Sequence, residues 1–268
     1  MIILDEPAEI YHANPAIGSS ALRDFIRSPR LFKDRQDGLA RKETPALTYG
    51  IAHHMLFLEP LEFAKAVAVK PKGMSFATKD GKLWSAEQSL AGKTIVTYDE
   101  MQSLNYMRAR MPVEVRALFL GVKSEVTIRS QMLGIPVQCR FDIFGAHYNC
   151  DLKSIDAIEN IDRSILKYGY HIQQRWYQRI ERYCLGKHKP FYFVFSEKSA
   201  PFRWRIVELD MDYIALADNE INNALHHLGA RIKSGCWDDP EPIKQICSPP
   251  HWLADRISDI DTDSESEV

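Results

Sequence analysis

The chain lacks the features that would place it in a membrane, outside the cell or on a nucleotide. Met1-Ile2-Ile3-Leu4 meets Asp5 and Glu6 at once, so the start does not read as a leader. No stretch approaches the roughly 20 consecutive apolar residues of a spanning helix, and no membrane association is expected. The five cysteines (Cys139, Cys150, Cys184, Cys236, Cys247) are odd in number and scattered. They read as reduced thiols of a cytoplasmic protein, not as a disulfide frame. Phosphate-cradling glycine loops, dinucleotide fingerprints and internal repeats are also missing. Nor is there the strong positive charge of a general nucleic-acid binder, since the formal net charge is -2.

That charge is unevenly spread. From Asp255 onward there are six acids (Asp255, Asp259, Asp261, Asp263, Glu265, Glu267) and one base (Arg256), a net of -5, which leaves residues 1–254 at +3. The tail 255–268 has the composition of a disordered segment, and any anion site in the remainder must be a local patch. At 268 residues, 45% hydrophobic and 26% charged, the chain can bury a full core. Residues 1–254 are expected to form one domain, with a helical part over about 1–120 and a core over about 121–254.

Ser19 or Ser20 can cap a helix through about Phe32, with Leu22, Phe25 and Ile26 on its buried stripe. Arg27, Arg30 and Lys33 lie off that stripe, either as a solvated face or as a phosphate-binding patch. Gly50 to Leu58 is a compact apolar helix carrying the adjacent His53 and His54, which point about 100° apart, so one of them at most faces a given site. Residues 70–92, rich in Lys, Gly and Ser, read as a surface excursion with a short helix from Trp84 to Leu90. Thr97 to Glu100 has the pattern of a capping box opening a helix to about Met111. A long helix is predicted from about Ile161 to Leu185, with Gln173 and Tyr177 on a common face, then a buried strand over Phe191–Phe195. Arg203 to Leu209 alternates as its hairpin partner, and a last helix spans about Asp212 to Lys233.

Between these lies the stretch with chemistry in it. Val137 to Phe144 alternates, with Val137, Cys139, Phe141 and Ile143 on one face and Gln138, Arg140 and Asp142 on the other. Tyr148, Cys150 and Leu152 alternate in turn with Asn149, Asp151 and Lys153. A loop of Ala146-His147 would set Asp142 opposite Asp151, and two facing carboxylates repel unless a cation lies between them. A divalent metal and the Lys153 ammonium are the two candidates. The same pattern also suits the wet face of an ordinary antiparallel sheet.

Several features then fall in order: Gly50 with His54 four residues on, Glu125, Asp142, Asp151-Leu152-Lys153, and Gln173 with Tyr177. Tyr11-His12, His171-Ile172-Gln173 and Ser248-Pro249-Pro250-His251-Trp252 extend the series over nearly the whole chain. In this order the sequence resembles the PD-(D/E)xK nuclease superfamily, and most of all its RecE (exonuclease VIII) branch. The resemblance implies an α/β (α+β) restriction-endonuclease-like core, a central mixed sheet flanked by helices with helical N-terminal additions. It implies Asp142, Asp151 and His54 as ligands of Mg²⁺, for which Mn²⁺ would substitute. Lys153 would act on the scissile phosphate or the attacking water, with Glu125 reaching the metal through water and Gln173 and Tyr177 positioning Lys153 or the DNA. It further implies linear duplex DNA as substrate, resected 5′-to-3′, a ring-shaped homo-oligomer (a tetramer), a bacterial host cytoplasm, and a single-strand annealing partner of the RecT type. Some relatives carry an iron–sulfur cluster on four cysteines; here Ser28 stands before Pro29 where those have one, and Cys236 and Cys247 lack the close spacing, so no cluster is expected. A structure-specific or restriction-type endonuclease, or a catalytically silent DNA-binding protein, is the alternative on the same fold.

Overall fold

The computed structural model describes residues 1–240 except 41 and 43, together with 244 and 246–248. Met1–Trp237 forms one compact unit and Asp238–Val268 a second. The acidic tail at 255–268, and 249–252 of the Ser248 to Trp252 motif, lie outside the described residues.

Strand β1 (Ile2–Ile3) leads into helices α1 (Ala8–Ala13), α2 (Ser19–Arg27), α3 (Pro29–Gln36), α4 (Pro45–Leu58) and α5 (Pro60–Ala66). The single helix expected from Ser19 to Phe32 is thus two. Pro29 disfavours helical geometry in the residue before it, and Ser28 is extended at φ -164°, accepting the Leu31 N–H at 2.9 Å as the cap of α3. Gly18, not a serine, occupies the cap position of α2. Strands β2 (Val67–Val69) and β3 (Thr94–Val96) pair in parallel around α6 (Lys79–Leu90), and α7 (Tyr98–Ala109) and α8 (Val113–Ala117) follow. Both bonds of the capping box at Thr97 and Glu100 are made, as the spacing predicts.

The second half supplies β4 (Lys123–Met132), β5 (Ile135–Phe144), β6 (Asn149–Ile155), α9 (Ile161–Tyr168), α10 (Tyr170–Leu185), β7 (Phe191–Glu197), β8 (Trp204–Val207) and α11 (Met211–Ser234). The main sheet has the order β1-β4-β5-β6-β7-β8 and is mixed, because β6 and β7 alone run parallel. A parallel pair needs a long crossover, and α9 and α10 provide it, which lays α10 across the sheet. The expected continuous helix from Ile161 is broken at Gly169, which takes φ +63°. A Cβ there would stand 2.6 Å from Arg23 Cδ, so glycine answers both the left-handed backbone and the close approach.

Helices cover both faces. One core packs Leu22, Phe25, Ile172, Trp176, Ile180 and Ile221 against Val137, Cys139, Phe141 and the aromatic row of β7. Trp176 is fully buried and donates its indole N–H to Gln138 O at 3.2 Å, so Trp176→Ala should cost about 3–5 kcal/mol. The other core packs Tyr49, Ala52, Leu56, Leu104 and Met107 against Ile143, Cys150, Leu152 and Val194. Ile143 therefore faces the opposite layer from Phe141, against the strict alternation expected of β5. The reason lies at Asp142. Ser124 pairs with Ile143 and Val126 with Phe141, while Ile143 pairs with Cys150. These registers would align Glu125, Asp142 and Asp151 in one row across three strands, yet neither ladder contains a pair at Asp142. Glu125 takes φ +53°. A row of like charges repels, and the backbone gives way at its centre.

Candidate active site

The turn between β5 and β6 has the length the sequence suggests. Gly145 N–H donates to Tyr148 O at 3.0 Å around Ala146-His147. Past Cys150 the two strands part, and the Asp142 carboxylate fills the gap, its Oδ2 accepting the Leu152 N–H at 2.7 Å. On its other side β6 stays paired with β7, so Asp151 and Lys153 keep a fixed register against Phe193 and Phe195. Both side chains then project toward α10. Lys153 pairs with Asp151 Oδ1, and Gln173 donates its amide to Asp151 Oδ2.

Helix α4 brings the histidines. His53 is fully buried with Nε2 2.7 Å from Ser196 Oγ, and burial holds its pKa well below the usual value, as befits a neutral core residue. His54 points into the site. Its Nε2 lies 2.7 Å from Leu152 O, and a carbonyl can only accept, so Nε2 carries the proton. Nδ1 then presents a lone pair, 3.6 Å from Asp142 Oδ2. Burial, and next the Lys153 charge, lower the His54 pKa, which favours the neutral imidazole that ligates metals.

His54, Glu125 and Asp142 each offer a ligand atom within 4.8 Å of the others. Two carboxylate oxygens and one imidazole suit a divalent cation of the Mg²⁺ or Mn²⁺ kind. The electrostatics agree. Burial first, then Asp151, raise the Asp142 pKa well above the carboxylate range, and burial with Asp142 pushes Glu125 up to about 7. These groups sit in a protein that under-compensates their charge, the condition a bound cation relieves. Asp151 stands outside that trio, with Lys153 on one oxygen and Gln173 on the other. Burial works against the Lys153 ammonium, but Asp151, Tyr170 and Asp142 outweigh it and hold its pKa above the usual value.

The structure thus brings His54, Glu125, Asp142, Asp151, Lys153 and Gln173 together. Tyr177 is buried, edge-on to Phe141 and Phe191, and meets the site only through Gln173 Nε2 at 3.4 Å from its hydroxyl. Gln173 touches Asp151, whose other oxygen pairs with Lys153, while the resemblance implies that Gln173 and Tyr177 position Lys153 or the DNA. Two neighbours went unassigned in the sequence. Arg140 pairs with Glu125 Oε2, and the Tyr170 ring lies 5.0 Å from Lys153 Nζ. The alternation that put Arg140 beside Asp142 was the available signal for the first. The basic candidates of α2 and α3 lie elsewhere: Arg27 is exposed, Arg30 pairs with Asp34 at 3.0 Å, and Lys33 pairs with Asp37.

A family described as a PDDEXK-like domain of unknown function (DUF3799) matches residues 18–241. The chain belongs to that family. The matched span of this PDDEXK-like chain holds every site residue named above. Among solved structures, a candidate exonuclease from Eubacterium rectale is similar at 18% identity and TM-score 0.66, over 94% of this chain and 98% of that one. An alkaline exonuclease from Laribacter hongkongensis (19% identity, TM-score 0.31, 60% and 85% covered) is also matched. So is a phage-related exonuclease from Haemophilus somnus 129PT (14%, 0.34, 82% and 96%). The first of these supports the mixed α/β PDDEXK-like fold. None of the curated proteins matches the sequence. Among the described residues, no helix is long and apolar enough to cross a membrane.

Proposed function

We propose that this protein is a divalent-metal-dependent exodeoxyribonuclease that resects linear duplex DNA from its ends. The observation that carries the reading is the union of a three-donor cluster, His54–Glu125–Asp142, with the Asp151–Lys153 pair on the next strand. His54, Glu125 and Asp142 would hold the cation, Mg²⁺ in the cell, with Asp151 beside them. Bound there, it would lower the pKa of a water and offset charge on the phosphate. Asp142 keeps the trio in place by gripping the Leu152 N–H, while His54 grips the carbonyl of the same residue. Gln173 fixes the carboxylate of Asp151, and Asp151 fixes the ammonium of Lys153. Held charged, Lys153 is a donor to a non-bridging phosphate oxygen and not a base. Tyr177 braces Gln173 from the core.

The finer reading follows the RecE-like pattern of the sequence: 5′-to-3′ digestion by a ring-shaped homo-oligomer in a bacterial cytoplasm, handing its single strand to a RecT-type annealing protein. The test is digestion of end-labelled linear duplex and of covalently closed circles, with Mg²⁺ and with chelator. Loss of the label from linear DNA in Mg²⁺ alone is expected. Comparable cutting of closed circles would replace the exonuclease reading with an endonuclease one, and inertness toward both would leave a silent DNA-binding protein.

A further inference from the structure

A cleft of about 870 Å³ runs beside α4, between it and α6, over the edge strand β3. Thr44, Leu47, Thr48 and Ile51 form one wall. The α6 face made by Lys82, Ser85, Ala86 and Ser89 forms the other, a stripe at helical spacing with no large apolar side chain in it. Leu47 and Ile51 are 47% and 42% exposed, and Phe76, which also lines the cleft, is 40% exposed. Leu47 and Ile51 of α4 and Phe76 of the loop before α6 are thus left bare in an open cleft whose α6 wall offers no large apolar side chain to cover them.

Charge and position say what. Residues 70–93 carry five lysines (Lys70, Lys72, Lys79, Lys82, Lys93) and two acids (Asp80, Glu87), in a protein of net charge -2. Among the described residues none of these lysines forms an ion pair, whereas Arg30 and Lys33 of α3 both do. Lys82 and Lys93 line the cleft itself, and the Lys70 ammonium sits 4.7 Å from the Phe76 ring. The one acid in the lining, Glu100, is turned onto Thr97, taking both its backbone N–H and its hydroxyl. Leu47, Ile51 and His54 share one face of α4, with His54 about 5 Å further along the helix than Ile51.

We propose that this cleft binds single-stranded DNA, the unpaired portion of the enzyme's own substrate. The inference rests on the nuclease reading and extends it to a second surface. Unpaired lysines with hydroxyls (Thr48, Ser85, Ser89) suit a phosphate backbone, and apolar and aromatic side chains between them suit base faces. A duplex keeps its base faces stacked inside and offers this lining only phosphates. Single strands expose both.

The test is fluorescence anisotropy of a labelled oligodeoxythymidylate, and of a matched blunt duplex, with the full chain in chelator, where nothing is cleaved. Lys82→Ala/Lys93→Ala should weaken single-strand binding at least tenfold and flatten its salt dependence by about 1.4 logarithmic units per decade, two contacts' worth. Phe76→Ala should weaken it roughly 5- to 100-fold. Exposed Lys187, given no part in either site, is the control: Lys187→Ala should leave it unchanged, and all variants should melt like the wild type. Unchanged single-strand affinity in the lysine and phenylalanine variants would overturn the proposal. So would an equal loss for the duplex, which would make the cleft a general phosphate track. Because cleavage is not read, a protein inert with Mg²⁺ that still shows the selective loss would sink the nuclease reading and keep the cleft.

Discussion

Two groups of carboxylates in the main sheet, one on β4 and β5 and the other at the end of β7, are treated in opposite ways. At one, Asp142 and Glu125 have their pKa values raised, by burial first, then by Asp151 at Asp142 and by Asp142 at Glu125. At the other, Glu197 closes β7 and its pKa is lowered to about 2, mainly by the Arg203 guanidinium. That guanidinium meets Glu197 Oε2 at 3.0 Å and Oε1 at 2.7 Å, and also bridges to Glu159 at 2.6 Å. The Ile158 N–H adds a further bond to Glu197 at 3.3 Å. Glu197 has its counter-charge built in and serves as a clamp between a loop and the sheet. Asp142 and Glu125 share Arg140 and Lys153 among three carboxylates and remain short of cations. Residue type alone does not separate a structural acid from a ligand; the completeness of its neutralisation does.

The largest expected effect is on turnover. Asp142→Asn should abolish Mg²⁺-dependent cleavage, by several orders of magnitude, while raising the melting temperature in chelator, because a repelling charge leaves. Asp151→Ala should abolish cleavage too, but it strips Lys153 and Gln173 of their partner. Its melting temperature in chelator should fall by the equivalent of about 1–3 kcal/mol. Scanning calorimetry with and without Mg²⁺ checks both. Equal shifts of the same sign would erase the distinction drawn between the two aspartates.

At the clamp, Arg203→Met should lower stability at pH 7, by less than the loss of a fully buried pair would, because Arg203 is 35% exposed. Glu197 titrates lower in the folded protein than in the unfolded chain. Its contribution is therefore complete above about pH 4.5 and fades as pH falls toward 2. The difference in stability between Arg203→Met and wild type should shrink over that window in urea titrations. A constant difference would show that packing, not charge, is lost.

The histidines give a smaller contrast. His54→Ala should raise the Mg²⁺ concentration for half-maximal rate about tenfold, and His53→Ala should leave it unchanged while lowering the melting temperature. Equal effects on the metal requirement would remove His54 from the site. Smallest is Tyr177→Phe, which gives up one 3.4 Å contact to Gln173 and should change the rate no more than severalfold in a single-turnover assay.

Much of this was legible before any coordinates. Period-two alternation around Ala146-His147 placed Asp142 near Asp151, and Asp151 on one strand face with Lys153, because turn length and pleat leave a hairpin little choice. The capping box at Thr97 and the Pro29 and Gly169 positions were equally visible as residues. Two breaks in helices went unread, since the apolar spacing runs on through Ser28 and Gly169, and the left-handed backbone and the approach of Arg23 that call for the glycine show only in the fold. Gln173 and Tyr177 could be placed on one face but not assigned a partner, because helical spacing says nothing of what lies across from it. The reversal at Asp142 was hidden for a related reason: it arises from Glu125, a neighbour on another strand.

The central claim is that cation capture and phosphate stabilisation belong to different residues: His54, Glu125 and Asp142 for the first, Lys153 for the second. Mn²⁺ titration calorimetry of Lys153→Ala, paired with single-turnover cleavage of pre-bound duplex, addresses it most directly. The expected result is metal affinity equal to or tighter than wild type, with the cleavage step slowed by the equivalent of about 3–4 kcal/mol. Cleavage near the wild-type rate, or a loss explained by failure to bind Mn²⁺, would contradict it.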